Sequence, residues 1–288
     1  MSDIEEFSLI DRYELISFLQ QNSLKLSKKL GQNFLVDPDV LKKIIVAAEL
    51  DQNDYVIEIG AGIGTLTREL AARSKGVTAL EFDQQIFPAL EKNLENFKNI
   101  ELKNLDVRKF QPPKGKYKLV ANIPYYLTSP ILRQFFVETQ NRPQLTVLLI
   151  QKEVAEKIVN PKKLSVLALQ VKMFGNPEIV CKVPKNSFLP PPKVESAVLK
   201  VSLKNSPEVA ADEVADFFKI VHAGFRAPRK KIYGSLAAGL PVRKEITKEI
   251  LKKSEIDLDK RPEDLSIQDW QKILRVEKDF DCLNFDYE

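Results

Sequence analysis

The sequence predicts an α/β fold, in which a doubly wound, mostly parallel sheet is followed by a small C-terminal all-helical domain. Up to about residue 205, short apolar runs typical of buried strands alternate with segments of helical periodicity. A glycine-rich turn directly follows the first of these runs. After Asn205-Ser206-Pro207, apolar residues recur only at helical spacing.

The N-terminal part is predicted to be a helical extension over residues 1–24, because residues 7–20 carry a broad apolar stripe at helical spacing. A basic segment follows from Lys25 to Leu35. Asp37 is then a typical N-cap and Pro38 a typical first-turn proline, so a helix is predicted from there to about Glu49.

The predicted sheet is built from runs of apolar residues. Its parallel strands are predicted at residues 55–59, 77–80, 100–106, 118–122 and 146–150. Five helices are predicted between and after these strands. The first ends near 73, the second spans 84–96, the third begins near 130, the fourth begins near 153, and the fifth spans 164–174. Strands 179–183 and 197–203 are predicted to form an antiparallel end of the sheet. Helices 208–225, 229–240, 243–254 and 266–276 complete the chain, giving predicted domains 1–24, 25–205 and 206–288.

Charge is distributed unevenly along the chain. The formal net charge is +4, but residues 1–14 and residues 277–288 each sum to −4, so the segment between them carries +12. A basic body suits a polyanionic partner, and a lysine-rich solvated surface is the alternative that charge alone leaves open. The two cysteines and single histidine indicate a reducing compartment and no zinc cluster. We expect a cytoplasmic protein without a membrane span.

A glycine loop follows the first predicted strand. Gly60, Gly62 and Gly64 are spaced G-x-G-x-G, with Glu58 two residues upstream. Glycines at such a turn let backbone N–H groups approach a ligand at a helix N-terminus. The spacing differs from the dinucleotide pattern G-x-G-x-x-G and suits a nucleoside cofactor without a pyrophosphate. A tight turn in an unrelated α/β protein has the same pattern.

Acids end the next two predicted strands. Glu81 lies 21 residues after Gly60, where nucleotide-binding sheets hold ribose hydroxyls. Asp106 ends the third strand, where a carboxylate can accept a hydrogen bond from an adenine amino group. Either acid alone is equally typical of a solvated strand end. Together with the glycine loop they favour a nucleoside site.

The fourth predicted strand ends in Asn122-Ile123-Pro124-Tyr125, and the proline forces Ile123 to stay extended. The Asn122 side-chain oxygen and the Pro124 carbonyl can accept both N–H bonds of an adenine amino group, while Tyr125 stacks on the base. This arrangement would direct the weakly nucleophilic amine at an electrophilic methyl group, with alignment supplying most of the rate and no metal required. A strand-ending turn with a packing tyrosine is the alternative.

In these residues the sequence resembles the small-subunit ribosomal RNA adenine N6-dimethyltransferases, a branch of the S-adenosylmethionine-dependent enzymes. The matching stretches follow the family's order: Leu30–Leu35, Glu58–Gly64, Glu81–Asp83, Leu105-Asp106, Asn122–Tyr125, Phe188–Ser196 and Arg261–Leu265. The resemblance implies a Rossmann-like class I methyltransferase domain over 25–205 and a helical RNA-contacting domain with an acidic tail over 206–288.

The resemblance also implies the reaction. Two adjacent adenosines in a 3′-terminal hairpin of small-subunit rRNA would each be methylated twice at N6, with S-adenosylmethionine as methyl donor and no metal. We further expect the partner to be rRNA within a pre-assembled small ribosomal subunit, the enzyme to be a monomer, and the wider role to be small-subunit biogenesis. The choice between naked rRNA and a pre-assembled subunit stays open from the sequence.

Site residues fall into three sets, of which the resemblance implies the first two, while the basic segments of the sequence suggest the third, the RNA contacts. The methyl donor would contact Asn33, Leu35, Gly60, Glu81, Asp106 and Asn122. The adenine would be presented by Asn122, Pro124 and Tyr125, with Phe188 as a second stacking face. The RNA would contact Lys28, Lys29, Arg226, Arg229, Lys230 and Lys231. From the residues alone, Phe188 is predicted to be a core aromatic. The pair Tyr233-Gly234 weakens the prediction of a helix after the last basic cluster.

Two other functions are compatible with the same residues. A large-subunit rRNA adenine N6-methyltransferase would use the same chemistry, although the Phe188–Ser196 stretch and the long helical domain favour the small-subunit branch. A non-catalytic RNA-binding assembly or transcription factor could keep this fold, although the intact Asn122–Tyr125 segment and the three acids speak against lost catalysis.

Overall fold

The structure is a computed structural model that describes residues 10–27, 30–280 and 282, and it confirms the predicted α/β fold class. The described residues form nine strands: β1 (Phe34–Leu35), β2 (Tyr55–Ile59), β3 (Gly76–Glu81), β4 (Ile100–Asn104), β5 (Lys118–Asn122), β6 (Leu145–Gln151), β7 (Gly175–Val183), β8 (Phe188–Leu189) and β9 (Ser196–Leu203).

Eleven α-helices accompany these strands in the described part of the chain. They are α1 (Arg12–Gln21), α2 (Pro38–Ala47), α3 (Thr65–Ala71), α4 (Phe87–Leu94), α5 (Thr128–Arg133), α6 (Lys152–Val159), α7 (Val166–Phe174), α8 (Val214–Gly224), α9 (Ile232–Gly239), α10 (Lys244–Lys253) and α11 (Ile267–Glu277). The helix predicted over 208–225 begins later, at Val214. The predicted cap of α2 is confirmed, since the Asp37 carboxylate accepts hydrogen bonds from the N–H groups of Asp39 and Val40.

Seven strands form the main sheet in the order β4-β3-β2-β5-β6-β9-β7. Strands β2 to β6 pair in parallel, while β9 runs antiparallel to β6. The sheet is apolar on both faces, as in β5, where Leu119, Val120 and Ala121 are buried. Strand β2 lies between β3 and β5, so the chain adds β3 and β4 on one side of β2 and then returns to add β5 and β6 on the other. A crevice therefore opens beyond the carboxyl ends of β2 and β5, where ligands bind in open α/β sheets.

A second, two-stranded sheet pairs β1 with β8, and sequence patterns did not predict it. Its register places Leu35 opposite Phe188 and Phe34 opposite Leu189. Each strand has only two residues, too few for a period-2 pattern. The pairing is supported by the Ser187 hydroxyl, which donates to the Asp37 carboxylate at 2.6 Å.

The chain divides into two compact units, residues 1–156 with 177–203 and residues 157–176 with 204–288. Residues 157–176 were predicted to belong with the sheet. Their place with the C-terminal helices is explained in part by the Lys163 ammonium, which donates to the carboxylates of Glu263 and Asp264 at 2.8 and 2.7 Å. The domain boundaries proposed from sequence remain a prediction. No helix among the described residues is long and apolar enough to cross a membrane.

Candidate active site

A cavity in the first unit lies beyond the carboxyl ends of β2, β3 and β5. All the residues that the sequence predicted for the donor and adenine sites line it: Asn33, Leu35, Gly60, Glu81, Asp106, Asn122, Pro124, Tyr125 and Phe188. Gly60, Glu81 and Asn122 meet because parallel strands present their carboxyl ends at one edge of the sheet. Leu35 and Phe188 reach the cavity from the β1–β8 pair.

The glycine loop between β2 and α3 needs its glycines for two reasons. Gly60, Gly62 and Gly64 have φ of +77°, +59° and +92°, in the left-handed region that favours glycine. Space is also short. A Cβ at Gly62 would lie 2.9 Å from the Phe34 ring and force it to move, and a Cβ at Gly60 would make a tight 3.3 Å contact with the Asn122 carbonyl oxygen. The loop therefore brings bare backbone into the cavity.

Glu81, at the end of β3, holds the glycine loop as well as lining the cavity. Its carboxylate accepts hydrogen bonds from the backbone N–H groups of Gly62 and Asp83, each at 2.8 Å. Burial raises the pKa of Glu81, while these two N–H groups lower it. Each carboxylate oxygen keeps a further lone pair, so a ribose hydroxyl can still donate to it.

Asp106 has a partner that the sequence analysis missed. The Arg108 guanidinium donates to both Asp106 carboxylate oxygens, and its Nε atom lies 3.0 Å from each of them. This contact lowers the pKa of Asp106. The Arg108 side chain is exposed, whereas that of Asp106 is largely buried. Arg108 also lines the cavity, and its spacing of two residues from a strand-end acid is the sequence signal that could have identified it.

Asn122 is oriented by a residue 89 positions earlier in the chain. Its Nδ2 donates to the backbone carbonyl of Asn33 at 3.4 Å. The Asn33 side chain in turn donates to the Gly31 carbonyl at 2.9 Å. The Asn122 side-chain oxygen accepts no hydrogen bond from any described residue, so it is available to a ligand in the cavity.

Pro124 and Tyr125 are both held by hydrogen bonds within the protein. The Pro124 carbonyl accepts from the Leu127 N–H at 2.9 Å, and its second lone pair remains open. The Tyr125 hydroxyl is hydrogen-bonded to the Ser196 hydroxyl at 2.7 Å. Burial raises the pKa of Tyr125, and the hydrogen bond with Ser196 opposes part of this rise. Ser196, at the start of β9, is a second residue that the sequence patterns did not single out.

Phe188, in β8, lines the cavity beside β1, the strand with which β8 pairs. Its side chain is 1% exposed and belongs to the apolar core, in register with Leu35. Phe188 is therefore both a core aromatic and part of the cavity wall. Its role as a stacking face remains a prediction.

Glu58 is a buried acid of β2 that lines the same cavity. Its Oε2 atom has no hydrogen-bond partner among the described residues. Burial raises the pKa of Glu58 to about 8, the nearby Thr67 hydroxyl opposes part of this rise, and the Glu81 carboxylate adds to it. The cavity thus contains a carboxyl group that is protonated at neutral pH.

The cations predicted to contact RNA divide into two groups. Lys28 and Lys29 lie outside the described residues. In the second unit, Arg226, Arg229 and Lys230 are exposed and form no ion pair with any described residue, whereas Lys231 donates to Asp259 at 2.6 Å. The segment from 226 to 231 is thus an exposed basic cluster before α9, and its contact with RNA remains a prediction.

Comparisons with known proteins agree with this geometry. The family model for ribosomal RNA adenine dimethylase matches residues 23–278. The ribosomal RNA small subunit methyltransferase A of Dehalococcoides mccartyi is 40% identical over 266 residues, covering 90% of this chain and 91% of the relative. The Clostridium botulinum (strain Kyoto) protein of the same name is 40% identical over 257 residues, covering 86% and 93%.

Two solved structures share the fold. A dimethyladenosine transferase from Plasmodium falciparum has 28% sequence identity and a TM-score of 0.74, covering 85% of this chain and 98% of that one. The 23S rRNA methyltransferase ErmE has 27% identity and a TM-score of 0.67, covering 85% and 99%. With a family model that matches most of its length and a site whose predicted residues meet in one cavity, the chain belongs to the ribosomal RNA adenine dimethylase family.

Proposed function

We propose that this protein is a small-subunit rRNA adenine N6,N6-dimethyltransferase that uses S-adenosylmethionine. One observation carries the proposal. The Asn122 carbonyl lies so close to Gly60 that a Cβ there would be 3.3 Å away, so the predicted adenine-binding segment and the glycine loop form adjacent walls of one cavity. A methyl donor and an acceptor amine can therefore be held side by side.

The residues present fit the methyl donor. Asn33, Leu35, Gly60, Glu81, Asp106 and Asn122 would hold it, through bare backbone at the glycine loop and acids at the ends of β3 and β4. The acids suit hydroxyl and amino donors of a nucleoside. The unpartnered, buried Glu58 oxygen is a further polar group in the wall of this cavity. When bound, S-adenosylmethionine supplies an electrophilic methyl group.

The chain's own residues then have to orient the amine and exclude water. In the first transfer the Asn122 side-chain oxygen and the Pro124 carbonyl accept the two N–H bonds of the unmethylated adenine amino group, which directs its lone pair along one line. In the second transfer one of these acceptors holds the single N–H bond that remains. Tyr125, fixed by its bond to Ser196, provides a flat face for the base. Such alignment lowers the barrier without a strong base or metal. Adenine must leave its stack to enter the cavity, which costs least in a loop.

The finer features of the substrate belong to the same proposal. The target would be two adjacent adenosines in a 3′-terminal hairpin, presented in a pre-assembled small subunit, and a cytoplasmic monomer would act on them. The 40% identity to two proteins named ribosomal RNA small subunit methyltransferase A supports the small subunit as the source of the rRNA target.

The structural similarity to the 23S rRNA methyltransferase ErmE favours one second candidate, a large-subunit methyltransferase. Both readings share the fold and the acceptor geometry, so the RNA substrate has to decide between them. The experiment incubates the purified protein and labelled methyl donor with undermethylated small subunits, with large subunits and with each naked rRNA. We expect N6,N6-dimethyladenosine in the small-subunit hairpin. Label confined to large-subunit RNA would establish the second candidate, and no label on any RNA despite donor binding would refute both.

A further inference from the structure

Helix α1 packs against the donor side of the cavity, although it precedes the residues 23–278 that match the family. Its residues Leu15 and Leu19 are 0% and 7% exposed. They form one apolar cluster with Ile63 of the glycine loop and Ile86, which precedes α4. Because Ile63 and Ile86 also line the cavity, α1 supports this wall from behind.

The same helix is bonded to the segment that carries Phe188. The Arg12 guanidinium donates to the backbone carbonyls of Asn186 and Phe188, at 3.2 and 3.4 Å. Leu189, the residue after Phe188, packs against the apolar cluster of α1. One helix therefore contacts both the donor wall and the wall proposed for the base.

We propose that α1 is a positioning element of the methyltransferase site, which fixes the donor wall through Leu15 and Leu19 and the Phe188 segment through Arg12. The identity of the two ligands rests on the proposed function. Walls that are already ordered before ligands bind spare the binding step an entropic cost. Transfer between two bound ligands depends in addition on how closely their relative position is held.

The two contacts predict two different defects. Leu15→Ala with Leu19→Ala loosens the donor wall, and the dissociation constant for S-adenosylhomocysteine should rise by about three- to tenfold. Arg12→Gln leaves that wall packed but releases the Phe188 segment, so kcat should fall by about tenfold while donor affinity stays within about twofold. Arg12→Lys keeps a donor for the carbonyls and should restore most of kcat. Tyr13→Ala is the matched control, because Tyr13 lies on the same helix and is 81% exposed.

Calorimetric donor binding, steady-state kinetics on undermethylated small subunits and thermal unfolding are measured on each full-length variant. If the double variant does not fold, Leu19→Ala alone replaces it. A purely structural helix would lower the melting temperature while donor affinity and kcat, measured well below it, stay within about twofold of wild type. The proposal is overturned if the leucine variant keeps the donor affinity of wild type, or if Arg12→Gln keeps the kcat of wild type. Wild-type protein that methylates no rRNA refutes the proposed function instead, and the donor-binding arm still decides whether α1 shapes the cavity.

Discussion

Asn122 donates its side-chain N–H to the backbone carbonyl of Asn33 at 3.4 Å, and this bond determines which end of the amide is available for chemistry. The nitrogen is engaged with the protein, so the side-chain oxygen is left for a ligand in the cavity, which we propose is the substrate amine. A residue from the segment before α2 thus orients the acceptor at the end of β5.

Replacing Asn122 with alanine should abolish most methyl transfer, because the adenine amino group loses one of its two acceptors. We expect a loss of at least about 100-fold in kcat, the cost of a misaligned attack, with donor affinity reduced only a few-fold. Incorporation of labelled methyl groups measures the first and calorimetry the second. Asn53→Ala, at an exposed asparagine, is the control. An active Asn122→Ala enzyme would contradict the mechanism.

The bond between Tyr125 and Ser196 should matter less than the tyrosine ring. Tyr125→Phe and Ser196→Ala each remove one partner of the 2.7 Å hydrogen bond. Each single variant should lower kcat/KM about as much as the double variant does. The coupling energy between the two hydroxyls in the transition state should be about 1 kcal/mol. Tyr125→Ala also removes the stacking face and should cost about 1–3 kcal/mol more. A double-mutant cycle on kcat/KM measures both. Additive losses would show that the hydroxyl pair is not coupled in catalysis.

The buried carboxyl of Glu58 should make stability depend on pH. Its pKa is about 8 in the folded protein against an ordinary value of 4.5, so between these values the folded state holds one proton more than the unfolded state. The free energy of unfolding should therefore fall as pH rises through this window, by on the order of 4 kcal/mol at its upper end.

Glu58→Gln tests this dependence, because glutamine keeps the shape and cannot ionise. Urea unfolding from about pH 5 to about pH 8.5 should show the variant gaining stability over wild type as pH rises. Glu81, whose pKa burial also raises, contributes to both proteins and cancels from the difference. Glu91→Gln, at an exposed acid of α4, controls for the loss of one carboxylate. A constant difference between wild type and Glu58→Gln at all pH values would contradict the assignment.

The exposed cluster of Arg226, Arg229 and Lys230 should contribute salt-sensitive RNA affinity. Changing all three to glutamine should weaken binding and reduce the slope of log affinity against log salt by about 0.7–0.9 per lost phosphate contact. Lys231→Gln should have a smaller effect, since that ammonium is paired with Asp259. The matched control removes three charges from α10 in the same unit, at Lys244, Lys248 and Lys252. Equal slopes for the two triple variants would mean that net charge, not this cluster, sets RNA affinity.

Two glycines of the second unit should respond to alanine with opposite signs. A Cβ at Gly224 would lie 2.2 Å from the buried Trp270 ring, so Gly224→Ala should destabilise by about 1–3 kcal/mol or more through overpacking. Gly234, inside α9, has only Lys230 Cβ within 4.0 Å, so Gly234→Ala should stabilise by about 0.5–1 kcal/mol. Denaturant unfolding measures both. Equal changes would refute the packing argument.

Local signals carried most of the fold and the composition of the site. The strands around Val56–Ile59 and Leu119–Ala121 were predictable because parallel strands buried on both faces read as continuous apolar runs. The glycine loop and the Asn122–Tyr125 turn were predictable because their backbone conformations restrict residue type at the position itself. The order of strand ends then sufficed to predict that Gly60, Glu81 and Asn122 share one cavity.

What the tertiary structure alone decided is how these residues are held. The Asn122 bond to Asn33 and the Arg12 bonds to the Phe188 segment join parts of the chain 89 to 176 positions apart. Two-residue strands such as Phe34-Leu35 carry no periodic pattern, so their pairing cannot be read from the residues themselves. The sequence determines which side chains are present and what local backbone they favour. Their partners follow from strand register and packing, which no short stretch of sequence encodes.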